Sequence, residues 1–506
     1  MTGVQVPSLD YPKTIKDPVH GYIPLTKLEY EILQHPVFNR LHDLKQTSMA
    51  YLVFPGAITT RFLHSVGAMH IASRIIQQLL HSLDPKKFEE LFPKATQDSV
   101  KLSIIQMVRL AALLHDIGHG PFSHATEKIM LGVMQEDYKG ESDAAAKLFG
   151  TNAGAPFPAH EYYSYKLVTE TDLSTIIESE SKQSQDPKLE PISADSVASL
   201  IIKTGKSPVE YVSEVGLGIL RKIISSQLDA DRMDYLVRDG YMTGVSYGLV
   251  DLDRVIMNMS IRQDVNRRYE LVVHERAIGA IEDILDARFK MYKWVYSHHL
   301  VASLNEMLTQ ALAALVDDKK MAAADFHWKS FVDRLIGDTY LVSQIRATDP
   351  SSNELLSGLT DRRYSPISVL KRPNDHRAFQ VEIAKATGRE SPSTVIQAKL
   401  DKFFEDTSSS PRVKLSGAEV RTIATRAPRS PYSPLKKGDS IWICSDRDAT
   451  LDELTSASKY FDFVNTEWTE FPNYYISYIE PGKKRQQAIS LREEYRRELV
   501  KQIAGY

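Results

Sequence analysis

The segment His115-Asp-Ile-Gly-His-Gly-Pro-Phe-Ser-His124 places three imidazoles and one carboxylate within ten residues. Ahead of it, Leu102, Ile105, Val108, Ala111 and Leu114 recur at helical spacing, so the segment is delivered by a helix with a buried face. An adjacent His-Asp offers a nitrogen and an oxygen donor together. That pairing suits a divalent cation that polarises phosphoryl oxygens and activates a water. Alone, such a dipeptide is a common chance pairing on a helix end, and other parts of the chain must decide its reading.

Three further segments bear on it. Upstream, Phe54-Pro-Gly-Ala-Ile-Thr-Thr-Arg61-Phe-Leu-His64-Ser-Val-Gly67 reads as a turn leading into a helix, with Phe62, Val66, Met69, Ala72, Ile76 and Leu79 on one side. His64 falls on its first turn, next to Arg61. Downstream, Gln227-Leu-Asp229-Ala-Asp231-Arg232-Met-Asp234-Tyr235-Leu-Val-Arg238-Asp239-Gly240 reads as a helix stopped by Gly240. Its pitch gathers Asp231, Arg232, Tyr235 and Asp239 within an arc of roughly 100°. In Ala287-Arg288-Phe-Lys-Met-Tyr292-Lys-Trp-Val-Tyr296, helical spacing makes Arg288, Tyr292 and Tyr296 an i, i+4, i+8 stripe. Pro121 suits the opening of the helix after the His-Asp loop, where His124 and Glu127 stand i, i+3. A carboxylate so placed can orient an imidazole and stabilise its protonated form, as a general acid requires.

The order His…His-Asp…Asp with these flanks resembles the HD-domain superfamily of metal-dependent phosphohydrolases. More narrowly it is similar to the deoxynucleoside triphosphate triphosphohydrolases. The resemblance covers roughly residues 13–310. It includes Asp17-Pro-Val-His-Gly-Tyr22 and Arg40-Leu-His-Asp-Leu-Lys-Gln46 as well as the segments above. It implies a divalent metal ion (Mg, Mn, Fe or Zn) held by His64, His115, Asp116 and Asp231. It implies that His124 donates a proton to the leaving group with support from Glu127, that His119 touches phosphate or a second ion, and that His160 is a further pocket histidine. Arg61, Arg232 and Arg288 would contact the triphosphate. Tyr235 and Asp239 would sit by the sugar, Gln46 near the 3′-hydroxyl and Tyr296 near the base. A tyrosine under C2′ would exclude a ribose hydroxyl.

This chain departs from the mammalian members in several places. Arg232 replaces a Lys, Tyr292 a His and Thr47 a Leu. Gln34, Asn39 and His42 stand where those enzymes read guanine with an Asp, a Gln and an Arg, so activation by guanine nucleotide does not carry over. A homo-oligomer (tetramer or dimer) with another nucleotide effector, or none, is the expectation. The expected reaction converts a deoxynucleoside triphosphate to deoxynucleoside and inorganic triphosphate, and Asp116→Ala should abolish it with the fold intact. The alternatives are another HD phosphohydrolase (a nucleotide phosphodiesterase or monophosphatase) and a nucleotide- or nucleic-acid-binding regulator with a vestigial metal site. Ile-Gly-His-Gly after Asp116 argues against the alarmone hydrolases, which carry an acidic pair there. A complete ligand set argues against the regulator.

The whole chain frames these readings. Its 506 residues carry a net charge of −3, 42% hydrophobic and 25% charged residues. That is ordinary globular composition, with no global electrostatic case for a nucleic-acid coat protein. The single cysteine, Cys444, excludes an intrachain disulfide and reads as a buried small hydrophobe. No leader pattern or run of 18 apolar residues appears, so a cytoplasmic protein with no membrane partner is expected. Lys483-Lys484-Arg485 reads as a solvated turn. The expected fold is mainly α: a tail (1–12), an all-helical HD-domain catalytic lobe (13–335) and a smaller α+β C-terminal lobe (336–506). Within these, Ser179–Ser193 reads as a polar loop, Ala277–Val316 as one long helix, and Tyr269–His274, Val420–Ala424, Ser440–Cys444 and Tyr474–Ile479 as strands. The stretches 407–411 and 426–434 read as linkers.

Overall fold

In the computed structural model, two short strands, Lys13–Asp17 and Gly21–Leu25, pair antiparallel. The turn between them is fixed by Asp17, whose Oδ1 accepts from the Val19 and His20 amides at 2.8 Å each. The structure describes residues 7–347 apart from 94–97, 153–154, 184–188, 203–204 and 206. Beyond these it describes 365–370, 373–388, 440–445, 451–460, 474–478 and a few shorter stretches. The linker stretches 407–411 and 426–434 and the basic trio 483–485 lie outside the described residues.

The molecule is mainly α. Between Arg61 and Leu236 every described regular element is a helix. Five of them position the site: α1 (Arg61–Ser82), α2 (Asp98–Leu114), α3 (His124–Asp137), α4 (Ala159–Thr169) and α5 (Ala230–Thr243). Helix α1 packs along both α2 and α5. Its predicted apolar side (Phe62, Val66, Met69, Ala72, Ile76, Leu79) is buried throughout. Helix α2 is buried on all sides, which admits polar residues only when paired. Arg109 meets both oxygens of Glu29 at 2.6 Å, and Gln106 joins them at 2.7 Å. Glu29 also closes a capping box with Thr26 at the start of the Lys27–Gln34 helix.

By its contacts the chain divides into two units. The first comprises Met1–Arg288, Met321–Ser343 and Pro434–Asp462, the second Phe289–Lys320, Gln344–Ser433 and Phe463–Tyr506. The first unit is not purely helical. Tyr269–His274 pairs antiparallel with Met259–Gln263 and parallel with Trp442–Cys444, which in turn pairs with Leu451–Glu453. The Trp442–Cys444 strand, expected in the C-terminal lobe, thus completes a sheet of the first unit. Cys444 is buried there. The second unit has its own sheet, ordered Ser365–Leu370, Tyr474–Tyr478, Ala418–Arg421 and Arg412–Leu415.

Four local expectations need correction. Helix α5 runs through Gly240 and stops at Gly244, whose φ of 73° supplies the left-handed cap. The long helix from Ala277 is interrupted: Tyr292–Tyr296 form a π turn between Ile278–Met291 and His299–Asp317. A π turn widens the i→i+4 ladder to i→i+5, so the Arg288, Tyr292, Tyr296 stripe does not hold its register. The polar segment read as a loop from Ser179 is helical to Gln183, where the Ser181 hydroxyl bonds the Ile192 carbonyl. Pro121 does not open a helix. Helix α3 begins at His124, after Phe122 and Ser123 at φ 55° and 54°. Among the described residues, no helix is long and apolar enough to cross a membrane.

Candidate active site

Helices α1, α2 and α5 bring His64, His115–Asp116 and Asp231 to one place. His64 Nε2 lies 3.0 Å from Asp231 Oδ1 and 3.5 Å from Asp116 Oδ2. His115 Nε2 lies 3.3 Å from Asp116 Oδ1 and 3.8 Å from Asp231 Oδ1. The donor atoms of His64, His115 and Asp116 all fall within 4.8 Å of one another. Yet neither buried Nε2 makes a well-aligned hydrogen bond among the described residues; each has only carboxylate oxygens close by. Buried imidazole nitrogens so poorly satisfied are costly unless something else meets them. A cation is what this donor set fits: two nitrogens and the Asp116 carboxylate close together, with Asp231 Oδ1 beside both nitrogens.

The other ring nitrogens are tied down, which aims each Nε2 inward. His115 Nδ1 lies 2.7 Å from the Ala112 carbonyl. His64 Nδ1 lies 2.8 Å from Asp234 Oδ2. Asp234 is itself fully buried and braced from three sides. Arg238 donates to it at 2.8 and 2.9 Å, and His20 meets it at 2.6 Å. Arg238 also donates to Asp17 at 2.7 Å, joining the N-terminal hairpin to the network. Gly67 makes room for this packing, since a Cβ there would stand 2.0 Å from Asp234 Oδ1. Burial disfavours charge on His64, but Asp231 and Asp234 outweigh it and hold the imidazole up to about 10 when no cation is present. Burial likewise opposes ionisation of Asp116 and Asp231. Arg61, His115 and His119 hold the first well below the carboxylate range, and His115 and His64 the second.

The His-Asp loop lies directly on α4. Ser164 Oγ donates to the His115 carbonyl at 2.6 Å and accepts from the Gly118 amide at 2.9 Å. A Cβ on Gly118 would come within 2.3 Å of the His160 carbonyl, so the loop can approach this closely only as glycine. Next to the first cluster stands a second group of imidazoles. His119 Nε2 is 3.3 Å from Asp116 Oδ1, and its ring stacks on His160 with centroids 4.1 Å apart. Glu127 is shared: one oxygen lies 3.1 Å from His124 Nδ1, and the other makes a short contact with His160 Nδ1. His124 is exposed and His160 largely enclosed. Burial opposes charge on His160, but Glu127 raises its pKa. Burial and Arg61 hold His119 neutral.

The expected substrate residues are placed as follows. Arg61 is 2% exposed; its Nη1 binds Asp116, and its Nε donates to Ser123 Oγ at 2.8 Å. Gln46 runs beside the entry to α1, its amide on the Thr59 carbonyl at 2.9 Å and its buried Oε1 without a hydrogen-bond partner among the described residues. Tyr235 lies next to His64, ring centroids 6.5 Å apart. Arg232 is half-buried on the first turn of α5, its Nε 3.7 Å from Asp229, and Asp239 is buried two turns on. Arg288 donates to Gln227 at 3.1 Å. Tyr292 and Tyr296 belong to the second unit, where they pack edge-on with centroids 5.2 Å apart. Asp17, His20, Asp234 and Arg238 stand within the quoted segments, but their sequence suggests no role beyond the i, i+4 spacing of Asp234 and Arg238.

Comparison with known proteins accords with this geometry. Residues 61–236 match the HD domain, and residues 250–421 match the HD associated region. An uncharacterized protein of Methanocaldococcus jannaschii is 31% identical over 62% of this chain and 52% of its own length. The Homo sapiens deoxynucleoside triphosphate triphosphohydrolase SAMHD1 is 26% identical over 78% of this chain and 61% of its own. The matches thus span only half to three-fifths of these relatives. A crystal structure of a hypothetical protein from Aquifex aeolicus superposes with a TM-score of 0.62 at 23% identity, covering 96% of this chain and 99% of that one, a likeness of fold.

Proposed function

We propose that this HD-domain protein, which resembles the deoxynucleoside triphosphate triphosphohydrolases, is a metal-dependent phosphohydrolase that splits deoxynucleoside triphosphates into deoxynucleoside and inorganic triphosphate. The observation that carries the metal-dependent reading is the pair of buried Nε2 atoms of His64 and His115, close to Asp116 and facing Asp231 without a well-aligned hydrogen bond. A divalent ion held by these four residues would supply the charge to polarise a phosphoryl oxygen and acidify a water. The substrate assignment rests on the likeness to the triphosphohydrolases.

In the proposed reaction, water adds at the α-phosphorus and the bond to the 5′-oxygen breaks. The Glu127-linked histidines, with His124 as donor, supply the proton the leaving oxygen needs, and His119, kept neutral, faces the phosphates. Arg232 and Arg288 contribute guanidinium charge to the triphosphate. Arg61 does so from its position over Asp116. Gln46, Tyr235 and Asp239 address the sugar, and Tyr292 and Tyr296 the base end. Assembly into a homo-oligomer and binding of a nucleotide effector belong to the same proposal.

Product analysis tests it. Purified protein with Mg, Mn, Fe or Zn should release intact triphosphate from deoxynucleoside triphosphates, with ribonucleotides turned over poorly. Pyrophosphate or monophosphate as product would move the assignment to another HD phosphohydrolase, and binding without turnover under every metal to a regulator. Glu127→Gln tests the proton donor. It removes the carboxylate that holds His124 Nδ1 and His160 Nδ1, and kcat/KM should fall about 10²-fold. An unchanged kcat/KM removes the pair from proton transfer.

A further inference from the structure

The His-Asp loop is gripped from a part of the chain more than 200 residues away. Asp338 is 1% exposed and begins the helix Asp338–Ala347. Its Oδ1 accepts from the Phe122 amide at 2.6 Å, and its Oδ2 from the Lys45 amide at 3.1 Å. Lys45 Nζ also approaches, at 3.5 Å. Among the described residues, these contacts bridge two segments that share no backbone–backbone hydrogen bond: the turn after His119 and the strand-like run beside the entry to α1. The turn is one the chain would not adopt unaided, with Phe122 and Ser123 both at positive φ. Ser123 then carries the constraint inward. Its Oγ donates to the Lys45 carbonyl and accepts from Arg61 Nε, both at 2.8 Å, and Arg61 Nη1 binds Asp116.

The same segment holds the loop a second time. Arg40, buried against the Phe331 ring, donates from Nη2 to the Ile117 carbonyl at 2.7 Å and from Nη1 to the Ile336 carbonyl at 3.1 Å. Residues 336–338 therefore fix the loop at Ile117 and at Phe122, on either side of His119.

From this geometry we infer that Asp338 is a positioning residue for the candidate metal centre, acting through Phe122, Ser123 and Arg61 to fix the orientation of the Asp116 carboxylate. The inference rests on the metal-dependent reading above, but not on the identity of the substrate. A carboxylate that accepts two backbone amides at once has no neutral substitute. An asparagine can accept from Phe122 but must turn its NH₂ toward the Lys45 amide.

The test is Asp338→Asn beside Ser123→Ala, each in the full chain, with Mn(II) binding, hydrogen exchange, thermal unfolding and steady-state kinetics read in parallel. In Asp338→Asn, exchange should quicken at residues 44–47 and 117–126 alone, Mn(II) affinity should fall about tenfold, and kcat should fall at least tenfold with KM little changed. Ser123→Ala should reproduce the loss in affinity and kcat with Asp338 intact, and the double variant should be no worse than the poorer single one. A folded Asp338→Asn protein with wild-type Mn(II) affinity would overturn the inference. So would losses that track only the unfolded fraction, or full additivity with Ser123→Ala. If the wild type turned over no nucleotide, affinity and exchange would still decide the role of Asp338, and the function proposal alone would fail.

Discussion

Asp116→Asn should lose cation uptake and turnover together while the helical fold persists. Asp116 meets four residues of the site: His64, His115, His119 and Arg61. Replacing one oxygen by NH₂ presents a donor to groups that need an acceptor. It also removes the charge that would neutralise a divalent ion. Without that ion the phosphoryl group has no Lewis acid, and the rate should fall by at least about 10³-fold. Asparagine is a sharper test of the ligand assignment than alanine. Arg61 is buried and bonded to Asp116, and alanine would remove the acceptor oxygen that asparagine keeps for it. Truncation would leave a guanidinium stranded, at a cost of about 3–5 kcal/mol. Elemental analysis, thermal unfolding and product release on the two variants separate these effects. Wild-type rates in Asp116→Asn would refute the ligand assignment.

Much of the site could be read from the chain because its signals are local. His115-Asp116 follows a continuous apolar helix, and α1 and α5 announce themselves by period. What could not be read depends on where distant segments meet. Arg61 shows in one dimension only as a charge one turn before His64, and nothing there reveals that Asp116 and Ser123 hold its guanidinium. Glu127 looks like the private partner of His124 at i+3, whereas the fold brings His160 from α4 to its other oxygen. Asp338 carries no motif. Its importance comes from two backbone amides, which no side-chain pattern records. The π turn at Tyr292–Tyr296 was equally hidden, because its residues suit an ordinary helix and only the hydrogen-bond ladder changes.

Asp234 presents the second large expected effect, and it concerns stability as much as metal. This carboxylate is 0% exposed and is met by two guanidinium nitrogens and two imidazoles. Burial opposes its ionisation, but Arg238, His20 and His64 hold it well below the usual range, so it stays charged. Asp234→Ala would leave Arg238 with Asp17 alone and free the His64 ring to rotate. The first consequence should cost about 3–5 kcal/mol of folding stability. The second should weaken metal affinity about 10- to 100-fold, since His64 Nε2 is aimed only by what holds Nδ1. Gly67→Ala reaches the same network from the opposite side. Its new Cβ would fall 2.0 Å from Asp234 Oδ1 and 2.2 Å from Arg238 Nη2, so the pair must part or α1 must move away from α5. Both variants should therefore lower the urea midpoint and loosen Mn(II) binding together, although neither residue is a ligand. If Gly67→Ala bound Mn(II) as tightly as wild type, the buried Asp234–Arg238 pair would not be what orients His64.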